Sequence, residues 1–254
     1  MDQQTRFIIL AGPRTGSTYL VDFLDAIPDI SCCSELFHDR RVDFRHHAPA
    51  DPELATLAFR DADPVEFIAR IVEQNSASGW FGFKMIGNQL AERGHDFIER
   101  VCRSRNWKKI YLWRDDLFEQ SISILLASRH FGEGSWERTP DESRIAISPQ
   151  DMLGYLHLVQ TLYFMIETVL AKAHSEDVFG LNYSDLGRPE VMRELLRFLD
   201  LPEPAIEQAL AAAGDGQKLA YHPGPDLAGR IENFAEIRQH FRKGRYRHLL
   251  TPSA

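Results

Sequence analysis

Cysteine is scarce in this chain, long apolar runs are missing, and basic charge is in deficit. Only Cys32, Cys33 and Cys102 occur in 254 residues. An odd count with two adjacent members is no disulfide framework. No Cys/His spacing suits a zinc site, so no metal is expected. The thiols therefore read as reduced, as in a cytoplasmic protein. No segment approaches the ~20 apolar residues of a membrane span, and Phe7 to Ala11 is too short for a signal-peptide core. The chain is thus expected to be soluble and intracellular, with no transmembrane segment. Twenty-nine basic against 37 acidic side chains give a net charge of -8. That excludes the basic footprint of sequence-independent nucleic-acid binding, though a local anion pocket remains open. Repeats and low-complexity tracts are also missing. What is present is ordinary globular composition, 44% hydrophobic and 26% charged. The length supports one large domain, 1–254, with a core that needs no staples.

Apolar runs at 7–11, 30–33, 80–86, 109–113 and 177–182 read as strands. Helical spacing follows at 17–27, 116–129 and 190–199. Ser148-Pro149-Gln150-Asp151 is a helix start, with Ser as N-cap and Pro in the first turn. Residues 38–64 read as loops with one short helix, and 131–147 as a loop. Strands alternating with helices predict an α/β fold, three-layered and P-loop-like, whose mostly parallel central sheet is flanked by helices. In such sheets ligands bind at the carboxyl ends of the strands. The Gly12 loop, Glu35, Lys84 and Arg114 all fall there.

Gly12-Pro13-Arg14-Thr15-Gly16-Ser17-Thr18 follows a buried strand and opens a helix. A helix N-terminus offers unpaired N–H groups and roughly half a positive charge, and glycine lets the backbone approach an anion. Arg14 adds a guanidinium, and Ser17 and Thr18 add hydroxyls. It is not a Walker A loop, because Gly16 is followed by Ser17 with no Lys between them.

At these residues the chain resembles the sulfotransferases, and more specifically the bacterial carbohydrate enzymes of the Nod-factor and trehalose types. The matching pieces are 7–20, Ser34-Glu35-Leu36-Phe37, Gly82-Phe83-Lys84, 114–123, 182–186 and 233–241. The resemblance implies that Arg14, Thr15, Gly16, Ser17 and Thr18 hold the 5′-phosphosulfate of 3′-phosphoadenosine 5′-phosphosulfate (PAPS). It implies that Arg114 and a serine on the next helix hold the 3′-phosphate. The usual family spacing falls on Ile122, flanked by Ser121 and Ser123, and the carbohydrate branch favours Ser123. It makes Glu35 the base that takes a proton from an acceptor hydroxyl, with His38 the nearest alternative. Tyr183 would meet adenine, and a late segment with Arg230 and Asn233 would close over the nucleotide.

Lys84 interrupts an apolar strand, where an unpaired Lys is rare. Together with Arg14 it would stabilise charge on the transferring group. Arg242-Lys243-Gly244 reads as a solvated basic turn, and Arg40, Arg41, Arg45, His46 and His47 as a solvated loop that could also line an acceptor site. Trp136 either stacks on a sugar ring or packs back on the domain. The reading is direct in-line transfer of a sulfuryl group to a carbohydrate or glycolipid hydroxyl. The alternatives are a P-loop kinase or NTPase, and a non-catalytic nucleotide-binding module.

Overall fold

The computed structural model describes residues 4–130, 144–215 and 227–243. Trp136, Gly244 and most of the 131–147 loop lie outside them. Five strands, β1 (Thr5–Ala11), β2 (Ile30–Glu35), β3 (Trp80–Ile86), β4 (Lys108–Trp113) and β5 (Val178–Asn182), form one parallel sheet in the order β2-β3-β1-β4-β5. The helices are α1 (Ser17–Asp25), α2 (Leu57–Ala62), α3 (Pro64–Gln74), α4 (Gly87–Ala91), α5 (His95–Phe97), α6 (Leu117–His130), α7 (Pro149–Leu170), α8 (Pro189–Phe198), α9 (Glu203–Asp215), α10 (Leu227–Arg230) and α11 (Phe234–Lys243). The expected α/β architecture is the one observed.

Side chains alternate across a strand, and β1 shows how three layers follow. Phe7, Ile9 and Ala11 pack towards α1, α8 and α9 with Leu20, Leu24, Leu195 and Ile206. Ile8 and Leu10 pack the other way, with Phe67, Ile71, Phe83 and Ile166 of α3, β3 and α7. A third cluster seats α6 on α7 and α11 through Ile122, Leu125, Leu156, Ile237 and Phe241.

The strands largely match their apolar runs, and β2 extends two residues further, to Glu35. Helix α3 has no counterpart among the segments read from the sequence, although Asp63 caps it and Pro64 starts it. Its apolar residues Phe67, Ile68, Ile71 and Val72 adjoin a charged stretch that masks their period. Ser148 caps α7 as expected, accepting from the Asp151 N–H at 3.0 Å. One expectation needs amending. By length and composition α7 is apolar enough to cross a membrane. Gln160, Thr161 and Glu167 break the apolar run, so the property shows only as a window average. Its Met152, Leu156, Val159, Tyr163 and Ile166 are buried in the core.

Chain order places a switch point between β1 and β4. The connection from β1 runs towards β2 on one side, and that from β4 runs towards β5 on the other. The crevice at their carboxyl ends is where open α/β sheets bind ligands. The Gly12 loop follows β1 and Arg114 follows β4, so both fall at that crevice.

Candidate active site

The loop after β1 is locked from inside. Thr15 is fully buried and its hydroxyl donates to the Gly12 carbonyl at 2.7 Å, so its side chain shapes the loop. Arg14 takes φ 60° and Gly16 φ 77°, in the left-handed region. At Gly16 a Cβ would also lie 2.5 Å from Leu186. No side chain caps α1. The N–H groups of its first turn have no intrahelical acceptor, which leaves them for an anion. Ser17 is buried at that turn and Thr18 is exposed.

The second half begins at Arg114, just past β4. Its guanidinium meets Glu119 at 2.8 Å and lies 4.5 Å from the centroid of the Tyr183 ring. Of the three candidate positions on α6, Ile122 is buried in the third core cluster. The Ser121 hydroxyl is buried and has no hydrogen-bond partner among the described residues. Ser123 is half-buried and accepts from Arg14 Nε at 3.0 Å. The two segments singled out as separate phosphate sites thus touch through Arg14 of the Gly12 loop and Ser123 of α6.

Beneath that contact runs a buried link. The Arg114 backbone N–H donates to the Tyr163 hydroxyl at 2.9 Å. That hydroxyl donates to Gln120 Oε1 at 2.9 Å, and Gln120 Nε2 donates to the Pro13 carbonyl at 2.7 Å. Burial pushes the Tyr163 hydroxyl up to about 12. Tyr163 carried no signal in the sequence, since an aromatic within an apolar helical stripe reads as core.

Glu35 ends β2 directly beside Lys84 of β3. Lys84 Nζ lies 3.1 Å from Glu35 Oε1, with the lysine side chain 4% exposed and the glutamate 20%. Gln89, at the start of α4, donates from Nε2 to Glu35 Oε2 at 2.7 Å. Its own Oε1 accepts the Ile86 N–H at 3.2 Å. The carboxylate is therefore held at both oxygens, yet remains partly open to solvent. Each carboxylate oxygen has two acceptor sites, so room is left for a hydroxyl proton. His38 Nδ1 accepts the Arg40 N–H at 3.1 Å and lies 2.9 Å from Asp39, which turns that nitrogen towards its own loop.

Buried Arg60 orders the turn after Glu35, donating to the carbonyls of Leu36 and His38 and to the Asp61 carboxylate. The basic loop that follows clasps α1. Arg45 pairs with Asp22 at 2.6 Å and His47 with Asp25. Burial works to raise the Asp25 carboxyl, but the His47 and Cys32 hydrogen bonds outweigh it and lower it. The late segment docks on α6. Asn233 donates to the Ile147 carbonyl at 2.9 Å and accepts the Ile147 N–H at 3.0 Å, so both ends of its amide are engaged. Arg230 is half-buried, and its carbonyl accepts the Ile145 N–H at 3.1 Å. Among the described residues no cluster of His, Cys, Asp and Glu could hold a metal ion.

No protein-family model matches the chain. It is 25% identical over 249 residues to Nodulation protein H of Rhizobium tropici, covering 94% of this chain and 90% of that protein. Among solved structures, the sulfotransferase domain of the curacin biosynthetic pathway superposes with a TM-score of 0.52 at 17% identity, over 93% of this chain and 87% of its own. A Mycobacterium avium sulfotransferase gives 0.53 at 14% identity, over 94% and 76%. A mouse sulfotransferase complexed with PAP gives 0.50 at 12%, over 97% and 88%. The chain has the sulfotransferase fold. The likeness to Nodulation protein H extends along nearly the whole chain and supports sulfuryl transfer as the general activity. Within the sulfotransferase fold, the strand ends carrying Gly12–Thr18 and Arg114–Ser123 flank one crevice, with Lys84 one strand and Glu35 two strands beyond β1.

Proposed function

We propose that residues 1–254 form a single-domain, cytoplasmic sulfotransferase that moves a sulfuryl group from PAPS to a hydroxyl of a carbohydrate or glycolipid. The observation that carries this is the junction of Arg14 with Ser123, which joins a helix-N-terminal anion loop to a second cationic site across the switch point. A nucleotide with a phosphate at each end of its ribose needs two such sites a few ångströms apart. The mouse sulfotransferase solved with PAP supports a nucleotide of this kind. Nodulation protein H supports sulfuryl transfer by overall likeness, and the carbohydrate or glycolipid acceptor is the finer part of the proposal. The cysteines Cys32, Cys33 and Cys102 are unpaired and buried, as suits a reducing compartment.

The residues present fit such a donor. Arg14 and Gly16 are left-handed, a backbone conformation that gathers N–H groups into anion-binding nests, and Arg14, Ser17, Thr18, Arg114 and Ser123 supply cations and hydroxyls for two anions. A bound donor would supply an activated sulfuryl group on a phosphosulfate anhydride. Glu35 accepts the proton of the acceptor hydroxyl as its oxygen attacks. Lys84 and Gln89 keep the Glu35 carboxylate pointed while it does so. Arg14, Lys84 and the α1 N-terminus offset the negative charge that gathers on the leaving phosphate, and preorganised groups need no reorientation at that moment. Tyr183 lies against both halves, near Gly16 and over Arg114, where an adenine ring can stack on it. Arg230 and Asn233 would belong to a late segment that closes over the nucleotide, in which Asn233 is tied to Ile147 at both ends of its amide.

Calorimetric titration tests the reading. The bisphosphate product 3′-phosphoadenosine 5′-phosphate should bind more tightly than ATP, and donor turnover should appear with a sugar in an acceptor panel. Tighter ATP binding with magnesium-dependent hydrolysis would replace it with a kinase or NTPase. Product binding without transfer to any acceptor would leave a nucleotide-binding module.

A further inference from the structure

The series Arg114 N–H to Tyr163 hydroxyl, Tyr163 hydroxyl to Gln120 amide, and Gln120 amide to Pro13 carbonyl is unbroken and consistent in direction. Its two ends sit on the two loops that flank the switch point. Gln120 is fully buried and Tyr163 is 5% exposed. In such a setting each hydrogen bond is strengthened, and a partner left unmet is costly. The Tyr163 ring also lies 2.9 Å from where a Cβ on Gly12 would sit, so it forms the floor of the loop. Because burial holds its hydroxyl up to about 12, the residue keeps its proton and both accepts and donates at working pH.

Ser123 lies one turn beyond Gln120 on α6 and makes a second link to the same loop, through Arg14. The outer link is built from groups a ligand would engage. The inner link uses none of them.

We propose that Tyr163 and Gln120 are positioning residues that hold the two anion loops at a fixed separation, so that an adenine nucleotide with both 3′- and 5′-phosphates is selected over one with a single phosphate. This rests on the donor-site reading above. A rigid spacing makes the second phosphate bind at little further cost, because its site is already placed. A slack spacing would leave each site able to bind alone while the advantage of carrying both falls.

The experiment is calorimetry with 3′-phosphoadenosine 5′-phosphate, AMP and adenosine 3′-monophosphate on wild type, Tyr163→Phe and Gln120→Met. Both substitutions keep most of the buried volume, and thermal melting confirms that each folds. The expected result is a roughly tenfold fall in the ratio of bisphosphate to AMP affinity, with single-phosphate affinities moving less than about threefold. An unchanged ratio in a folded variant overturns the proposal, as does an equal loss for all three nucleotides, which marks general softening. Wild type that prefers AMP to the bisphosphate removes the donor reading and this inference together. Amide exchange on the wild type needs no variant. The Arg114 N–H should exchange slowly, and rapid exchange there would show that the link does not hold.

Discussion

Two lysines are buried in this sheet, and they behave differently. Lys84 on β3 pairs in register with Ile9, and Lys109 on β4 pairs with Ile8, so their side chains leave opposite faces. Lys84 lies near the carboxyl end of its strand and meets the Glu35 carboxylate, which is partly open to solvent. Lys109 lies near the start of its strand and donates to the Ser104 carbonyl at 2.6 Å, closing the turn that leads into β4. Burial without a hydrogen-bonded carboxylate lowers the Lys109 pKa, which neighbouring Asp177 only partly offsets. Burial of a lysine is therefore not itself a mark of function. The partner and the end of the sheet decide it.

The largest effect should come from removing the proposed base, Glu35, on the Lys84 side. Glu35→Gln should lower kcat by about 10²–10⁴ while leaving bisphosphate affinity intact. Full turnover in that variant would end the assignment. Lys84→Met comes next, with a loss on the order of 10² in kcat, since one preorganised charge is removed near the developing anion. Gln89→Met, which frees Glu35 Oε2 but spares its charge, should cost roughly tenfold in kcat with KM for the donor unmoved. A change confined to KM would show that Gln89 serves binding instead.

The smallest catalytic effect belongs to Lys109→Met, with turnover kept within about twofold and stability reduced by about 1 kcal/mol, as the Ser104 carbonyl loses its donor. This variant also has a pH signature. A lysine whose folded pKa lies below its unfolded value of about 10.4 binds fewer protons when folded, across the interval between the two. Wild-type stability should therefore rise with pH in that interval relative to Lys109→Met. Denaturant midpoints for the two proteins, compared across alkaline buffers, measure the slope. Parallel curves would show that Lys109 folds without perturbation.

The same contrast shows what could be read in advance. Lys84 was visible because a charge interrupts Trp80-Phe81-Gly82-Phe83-Lys84-Met85-Ile86, a run otherwise free of it. Lys109 drew no notice as the first residue of the 109–113 run, because next to Lys108 it sits at the edge of that run and does not interrupt it. The Gly12 loop was visible because its meaning is local, a strand, glycines and a helix start within a dozen residues. Gln89 was not, because its value comes from Glu35, fifty-four residues away in the chain. Tyr163 and Gln120 were hidden for the same reason. An aromatic on a core helix and an amide on another carry no pattern until the fold brings them together.

By itself, the sequence determined the alternation of buried strands and helices, the parallel sheet this alternation requires, and the residue types at its carboxyl ends. These follow from short-range physics, since hydrophobic period and cap chemistry act over a few residues. Only the tertiary structure decided which of those residues meet. It set Ser123 against Arg14, placed Lys84 and Gln89 on the two oxygens of Glu35, and ran a buried link between the Gly12 and Arg114 loops. Side-chain direction and strand order settle such contacts, and neither is written in any local stretch of the chain.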